Sequence, residues 1–138
     1  MARARSKLSA GTLILDCAGL VKWCAADQRV TSIVREAQDN DFRVVVSAMT
    51  PIEAQDIRTK NDRLRWHLSR LKIEPVTEEI SSRATQLLRD ARLHGHKYAV
   101  DAVVAATALL SVRPVIVLTS GEDDLIALCG KTVKVVGV

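Results

Sequence analysis

Five short apolar runs, each bounded by polar or turn-forming residues, set the terms on which this chain can fold. Residues 12–15, 43–47, 73–76, 115–118 and 132–136 are too short for stable helices and rich in β-branched side chains, so they read as strands. Val44-Val45-Val46 in the second run has no polar alternation, the mark of a strand buried on both faces. Helical patterns fill the intervals. Residues 17–26 form the first. Val30, Ile33, Val34 and Ala37 then fall at i, i+3, i+4 and i+7, one face of a helix. Leu64, Leu68 and Leu71 make another stripe, and Ile80, Ala84, Leu87, Leu88 and Ala91 a longer one, capped by Thr77 and expected to close near Gly95. Residues 98–110 and 123–129 complete the set. Strands separated by helices predict an α/β fold of three layers, a central parallel sheet of about five strands with helices on both faces. Ligands of such sheets bind at the carboxyl edge of the strands.

The 138 residues suit one domain, expected over residues 12–138. Residues 1–11 carry Arg3, Arg5 and Lys7 without the apolar stretch of a secretory signal, and read as a flexible basic arm. No apolar run approaches the ~20 residues of a membrane helix. Cys17, Cys24 and Cys129 are odd in number and show no C-x-x-C spacing, which points to free thiols in a reducing cytoplasm. Cys17 and Cys24 read as small buried apolar residues. The net charge of +4 suits a polyanionic partner. Aromatic residues are only 3% of the chain, which argues against a module that stacks bases on aromatic rings. Trp23 and Trp66 therefore read as packing or interface residues, and phosphates would dominate any nucleic-acid contact.

The carboxyl edge is where acids collect. Asp16 ends the first strand as the only charge between Leu13-Ile14-Leu15 and Cys17-Ala18-Gly19-Leu20-Val21. Asp101 is the only charge in residues 98–110, a helix apolar all round and so expected to be buried. A carboxylate in such a place is costly unless a cation or hydrogen-bond donors meet it. Glu53 opens the helix after the second strand, where Thr50-x-x-Glu53 also matches a capping box. Glu122, Asp123 and Asp124 come after the fourth strand, where they also suit the positive end of a helix dipole. Four elements thus send carboxylates to one edge. Crowded carboxylates raise one another's pKa unless a cation neutralises them. An oxygen-rich set poor in His and Cys suits Mg²⁺ or Mn²⁺ better than zinc.

Arg58, Lys60, Arg63, Arg65, Arg70 and Lys72 face only Asp56 and Asp62 in their segment. Arg58, Lys60, Arg63 and Arg65 are candidate phosphate contacts; a solvated helix face, a surface for a partner protein or a subunit interface are the alternatives. His94 and His96 flank Gly95 and read as partners of a helix C-terminus. A phospho-acceptor receiver shares the strand–helix alternation, but it needs paired acids after the first strand and an acceptor Asp after the third. Here Asp16 stands alone, and Thr77, Glu78 and Glu79 come after the third strand.

At these residues the sequence resembles the PIN-domain nucleases, especially bacterial VapC-type toxins, over nearly the whole chain. Leu13-Ile14-Leu15-Asp16 resembles the family's first strand and first acid, and Pro51-Ile52-Glu53 its second. Asp101-Ala102-Val103-Val104-Ala105-Ala106-Thr107-Ala108 is similar to the helix bearing the third. Val117-Leu118-Thr119-Ser120, with Asp124-Leu125 beyond it, resembles the segment carrying the fourth. The resemblance implies a Mg²⁺- or Mn²⁺-dependent endoribonuclease that leaves a 5′-phosphate, with Asp16, Glu53, Asp101 and Asp124 at its site and Thr119, Ser120, Glu122 and Asp123 in support. It also implies a cognate antitoxin and a homodimer. Two positions depart from the pattern: Ala18, where the family usually has Ser or Asn, and Gly121, where it often has Asp or Asn. These departures support the alternative, a weak or inactive PIN scaffold that binds RNA or protein as a regulator.

Overall fold

The computed structural model of the protein describes residues 9–58 and 60–138. At its centre lies β1 (Gly11–Leu15), buried along its whole length. Successive side chains of a strand point to opposite faces, so this strand feeds two cores. Leu13 and Leu15 enter one, and Ile14 the other. β2 (Phe42–Ser47) repeats the division, with Val44 and Val46 beside Leu13, and Val45 beside Ile14. β3 (Lys72–Glu74), β4 (Val115–Thr119) and β5 (Lys134–Gly137) complete a parallel sheet of order β3-β2-β1-β4-β5.

Helices cover both faces, as the apolar strands require. α1 (Cys17–Cys24), α2 (Gln28–Asp39) and α4 (Asn61–Leu68) bury Leu20, Trp23, Val30, Val34 and Leu64 in one core. α5 (Glu78–Ala91), α6 (Gly95–Leu109) and α7 (Glu122–Cys129) bury Ile80, Ala84, Leu125 and Leu128 in the other, along with most of α6 beyond Asp101. The single turn α3 (Thr50–Glu53) comes after β2. The three-layer α/β architecture is therefore the one expected. The cores are tight: Leu118 is fully buried, and its truncation to Ala should cost about 2–5 kcal/mol.

Some boundaries differ from expectation, for identifiable reasons. α5 ends at Ala91 rather than near Gly95. Arg92 takes the left-handed conformation (φ 57°, ψ 41°), and the Leu93 N–H donates back to the Leu88 carbonyl at 2.9 Å. This is a Schellman ending, and Leu88 and Leu93 both pack on the core beneath it. That contact offsets the strain of a non-glycine residue there. Gly95 instead begins α6, which kinks at Tyr98 (φ −112°, ψ 15°). His94 and His96 therefore stand at the start of a helix, not at the end of one. The dipole there disfavours cations, so the C-terminal reading of these histidines fails. β5 starts two residues late because residues 130–132 form a 3₁₀ turn. Gly11 already belongs to β1, and residues 1–8 of the expected arm lie outside the described residues. Among the described residues, no helix is long and apolar enough to cross a membrane.

Candidate active site

Leu15 pairs with Leu118, so the residue after β1 meets the end of β4. That residue is Asp16, and its N–H donates to the Leu118 carbonyl at 3.0 Å. It is only 7% exposed, yet both side-chain oxygens are satisfied. Oδ1 accepts the Cys17 N–H at 2.9 Å, and Oδ2 accepts the Thr119 hydroxyl at 2.8 Å. Thr119 in turn accepts the Gly121 N–H at 3.0 Å, which leaves its hydroxyl proton committed to Asp16. Gly19 makes this junction possible. A Cβ there would stand 3.2 Å from both the Cβ and the carbonyl oxygen of Leu118, closer than packing readily allows. Without one, α1 settles against the end of β4.

Asp101 lies three residues past the kink at Tyr98, in the first turn of the straight part of α6. It is half-buried, and its carboxyl is pushed up to about 6, first by loss of water and then by the charges of Asp16 and Asp124. Glu53 is raised as well, first by loss of water on its pocket side, then by Asp16 and Asp101, although the residue as a whole is exposed. Asp16, Glu53 and Asp101, from three separate elements, thus lie within electrostatic reach of one another, and Asp124, from a fourth, within reach of Asp101. The Cys17 thiol feels the same field. It is pushed up to about 11 by burial, then by Glu53 and Asp16. Cys17 packs against the core, as its sequence suggests, and also stands next to Asp16 in the chain.

The supporting residues separate. Thr119 is integral, through its bond to Asp16. Ser120 and Asp123 are exposed. Glu122 lays its carboxylate against Gly137 of β5, where no side chain intervenes. Of the three acids in the first turn of α7, Asp124 is the one that bears on Asp101. A Cβ at Gly121 would meet Thr119 Oγ1 at 3.8 Å and Asp124 Oδ2 at 4.0 Å, ordinary contacts, so space does not demand glycine there.

The capping box does not form. Met49, not Thr50, precedes α3, and the Met49 N–H is taken by Ser47 Oγ at 3.1 Å. Thr50 lies inside the helix, buried, its hydroxyl without a partner. Glu53 is thus released from a capping duty.

The donor set can be tested against a divalent cation. Among the described residues, no three His, Cys, Asp or Glu side chains close into a ready-made metal group. The ion pairs of the described residues are Arg58–Asp56 and Lys72–Glu74, and neither involves the four acids. Among the described residues no cationic side chain pairs with the four carboxyls, two of which are pushed upward by loss of water and then by their neighbours, so the group is deficient in positive charge. All donors are oxygens, which suits a hard ion such as Mg²⁺ or Mn²⁺. The residues fit the ion by chemistry, though the ligand group is not drawn closed.

Arg58, Lys60 and Arg63 line a cleft of about 430 Å³ between α1 and α4; Arg65, on the other flank of α4, does not. A hollow of about 540 Å³ between α2 and the open face of β4 and β5 is larger but contains none of the four acids. Trp23 is buried and meets His67 edge-on at 4.7 Å, as a packing residue should. Trp66 is half-exposed, with the Arg70 guanidinium 4.7 Å from its ring centre.

No protein-family model matches the chain, and no curated protein matches it. Solved structures do. A chain of the crystal structure of VapBC2 from Rickettsia felis bound to a DNA fragment from their promoter aligns with a TM-score of 0.70 at 14% identity, over 92% of this chain and 98% of that one. A toxin–antitoxin complex from Klebsiella pneumoniae gives 0.67 at 18% identity, over 88% and 94%. The structure of FitAB bound to an IR36 DNA fragment gives 0.65 at 21%, over 91% and 94%. The chain has the PIN-domain fold. Because the alignments span nearly all of both chains, the PIN fold is present here as a whole and not as a fragment. At these identities the likeness is one of fold, and the chemistry of this PIN domain rests on its own residues.

Proposed function

We propose that the protein is a divalent-metal-dependent endoribonuclease, the toxin of a toxin–antitoxin pair. The observation that carries the chemistry is the group of four carboxyls at one sheet edge, with no cationic side chain paired to it among the described residues. The toxin assignment is supported by the fold, shared with chains from toxin–antitoxin complexes. Asp16 and Asp101 would hold Mg²⁺ or Mn²⁺, with Asp124 completing the site directly or through water. Such an ion would supply Lewis acidity toward the phosphodiester and a water more acidic than bulk. The protein's own groups do the positioning. The Cys17 N–H and the Thr119 hydroxyl hold the Asp16 carboxylate in one orientation before substrate arrives. Glu53, exposed and with a raised carboxyl, is suited to orient the attacking water and accept its proton. The water oxygen bonds to phosphorus, the P–O3′ bond breaks, and the leaving oxygen takes up a proton. The partners are an RNA, a cognate antitoxin polypeptide and a second copy of the chain, in the cytoplasm.

Gly121 and the absence of a closed ligand group favour a second reading, an inactive PIN scaffold that regulates by binding. Incubation of the purified protein with structured and single-stranded RNA, with Mn²⁺ or with EDTA, separates the two. The nuclease reading expects cleavage that Mn²⁺ supports, that EDTA stops, and that Asp16→Asn and Asp101→Asn abolish. No cleavage with Mn²⁺, or equal cleavage by the variants, overturns it. A gene for a small antitoxin beside this one is expected on the same reading.

A further inference from the structure

The cleft between α1 and α4 joins two chemistries. Its rim carries Arg58, Lys60 and Arg63, and its floor is aliphatic, with Val21, Ala54 and Leu64. Its volume of about 430 Å³ is within the range of sites for small ligands. It borders the acids twice: Ala54 is next to Glu53 in the chain, and Val21 stands one helical turn, about 6 Å, along α1 from Cys17. Asp56 already holds Arg58 at 3.0 Å. No carboxylate pairs with Lys60 or Arg63 among the described residues. The Arg63 charge also reaches inward: burial raises the Cys24 thiol, and Arg63 opposes that rise.

An acidic pocket repels a polyanion, so a nucleic acid needs cations close by to settle over it. Cations on a rim above an apolar floor match a flat ring that carries a phosphate. An acidic polypeptide would match the rim but has no need of the hollow. We propose that this cleft seats the nucleotide next to the scissile phosphate, its base on the Val21–Ala54–Leu64 floor and its phosphate on Lys60 and Arg63. The inference rests on the ribonuclease reading. With no aromatic ring among the residues lining the cleft, the base is held by shape and exclusion of water, and selection among bases is weak.

The test is binding of a short fluorescent single-stranded RNA in EDTA, followed by anisotropy over a range of KCl. Lys60→Ala and Arg63→Ala are each expected to weaken binding several-fold and to flatten the salt slope by about 0.7. Ala25→Leu, which fills the same cleft without changing charge, is expected to weaken binding several-fold and leave the slope alone. Circular dichroism checks that each variant is folded. If the wild type binds RNA but the slopes do not change, the cleft is not on the RNA path, as would hold if it served an acidic polypeptide, and the proposal is overturned while the nuclease reading stands. A changed slope with no effect of Ala25→Leu overturns the seat for the base. A wild type that binds no RNA overturns the proposal, and the cleavage assay with Mn²⁺ decides the nuclease reading separately.

Discussion

Asp16, at the end of β1, is buried and accepts two hydrogen bonds, whereas Glu53, in the turn of helix after β2, is exposed and accepts none from a side chain among the described residues. The two strands are neighbours in the sheet. The difference lies in the segment that each strand leads into. After β1 the chain enters a full helix that Gly19 allows to press on β4, so a donor from each element reaches Asp16. After β2 it makes one turn, entered through a Met49 N–H that donates to Ser47, and no hydrogen-bond donor grips the Glu53 side chain among the described residues. On the proposed reading, a carboxylate held from two sides would receive a cation in a fixed place, and one that is free, with its carboxyl raised, would exchange protons.

Metal titration of the two asparagine and glutamine variants should make that contrast sharpest. Asp16→Asn should lose Mn²⁺ binding in calorimetry and cleavage together. Glu53→Gln should keep most of the binding and lose about 10²-fold or more in turnover, the scale of a lost general base. Equal loss of binding in both would erase the distinction. Thr119→Val removes one of the two holds on Asp16 and should weaken metal affinity about 10–100-fold, as losses of orienting partners do. An unchanged affinity would mean that the Cys17 N–H alone suffices.

The pH dependence comes from Asp101, whose carboxyl is raised from 3.8 to about 6. The folded chain keeps that proton to a higher pH than the unfolded chain does. The stability it contributes is therefore complete below about pH 4 and lost as pH rises through about 6. The metal-free protein should melt at a higher temperature near pH 5 than near pH 7, and Asp101→Asn should remove most of that difference, with Glu53 contributing the remainder in the same direction. Added Mn²⁺ competes with the same proton, so its binding should weaken below about pH 6. The smallest effect is expected on the Glu53 side. Thr50→Val deletes a buried hydroxyl with no partner and should stabilise by about 1 kcal/mol in thermal unfolding, without touching metal affinity.

The features legible in the sequence were those that depended on burial. The strands β1, β2 and β4 showed as apolar runs because both of their faces are covered. Asp16 and Asp101 showed as single charges in apolar surroundings. The hidden features depended on local competition for backbone groups. Gly95 looked like a helix stop, but the packing of Leu93 on the core puts the left-handed turn at Arg92. Thr50 and Glu53 had the spacing of a cap, but the helix begins one residue earlier than that spacing requires, with Met49 before it and Thr50 inside. Arg58, Lys60, Arg63 and Arg65 looked alike in sequence, and the turn of α4 between Arg63 and Arg65 leaves only Arg65 out of the cleft.

Asp16 and Thr119 are joined by one hydrogen bond and separated by 103 positions in the chain. During synthesis the ribosome releases the first of them long before the second, and Asp124 comes later still. In the interval β1 has β2 beside it but not β4, and its acid has no hydroxyl to hold it. No segment in isolation contains the pocket. If the protein is as harmful to its maker as a toxin would be, its danger is deferred until nearly the whole chain has been made and folded.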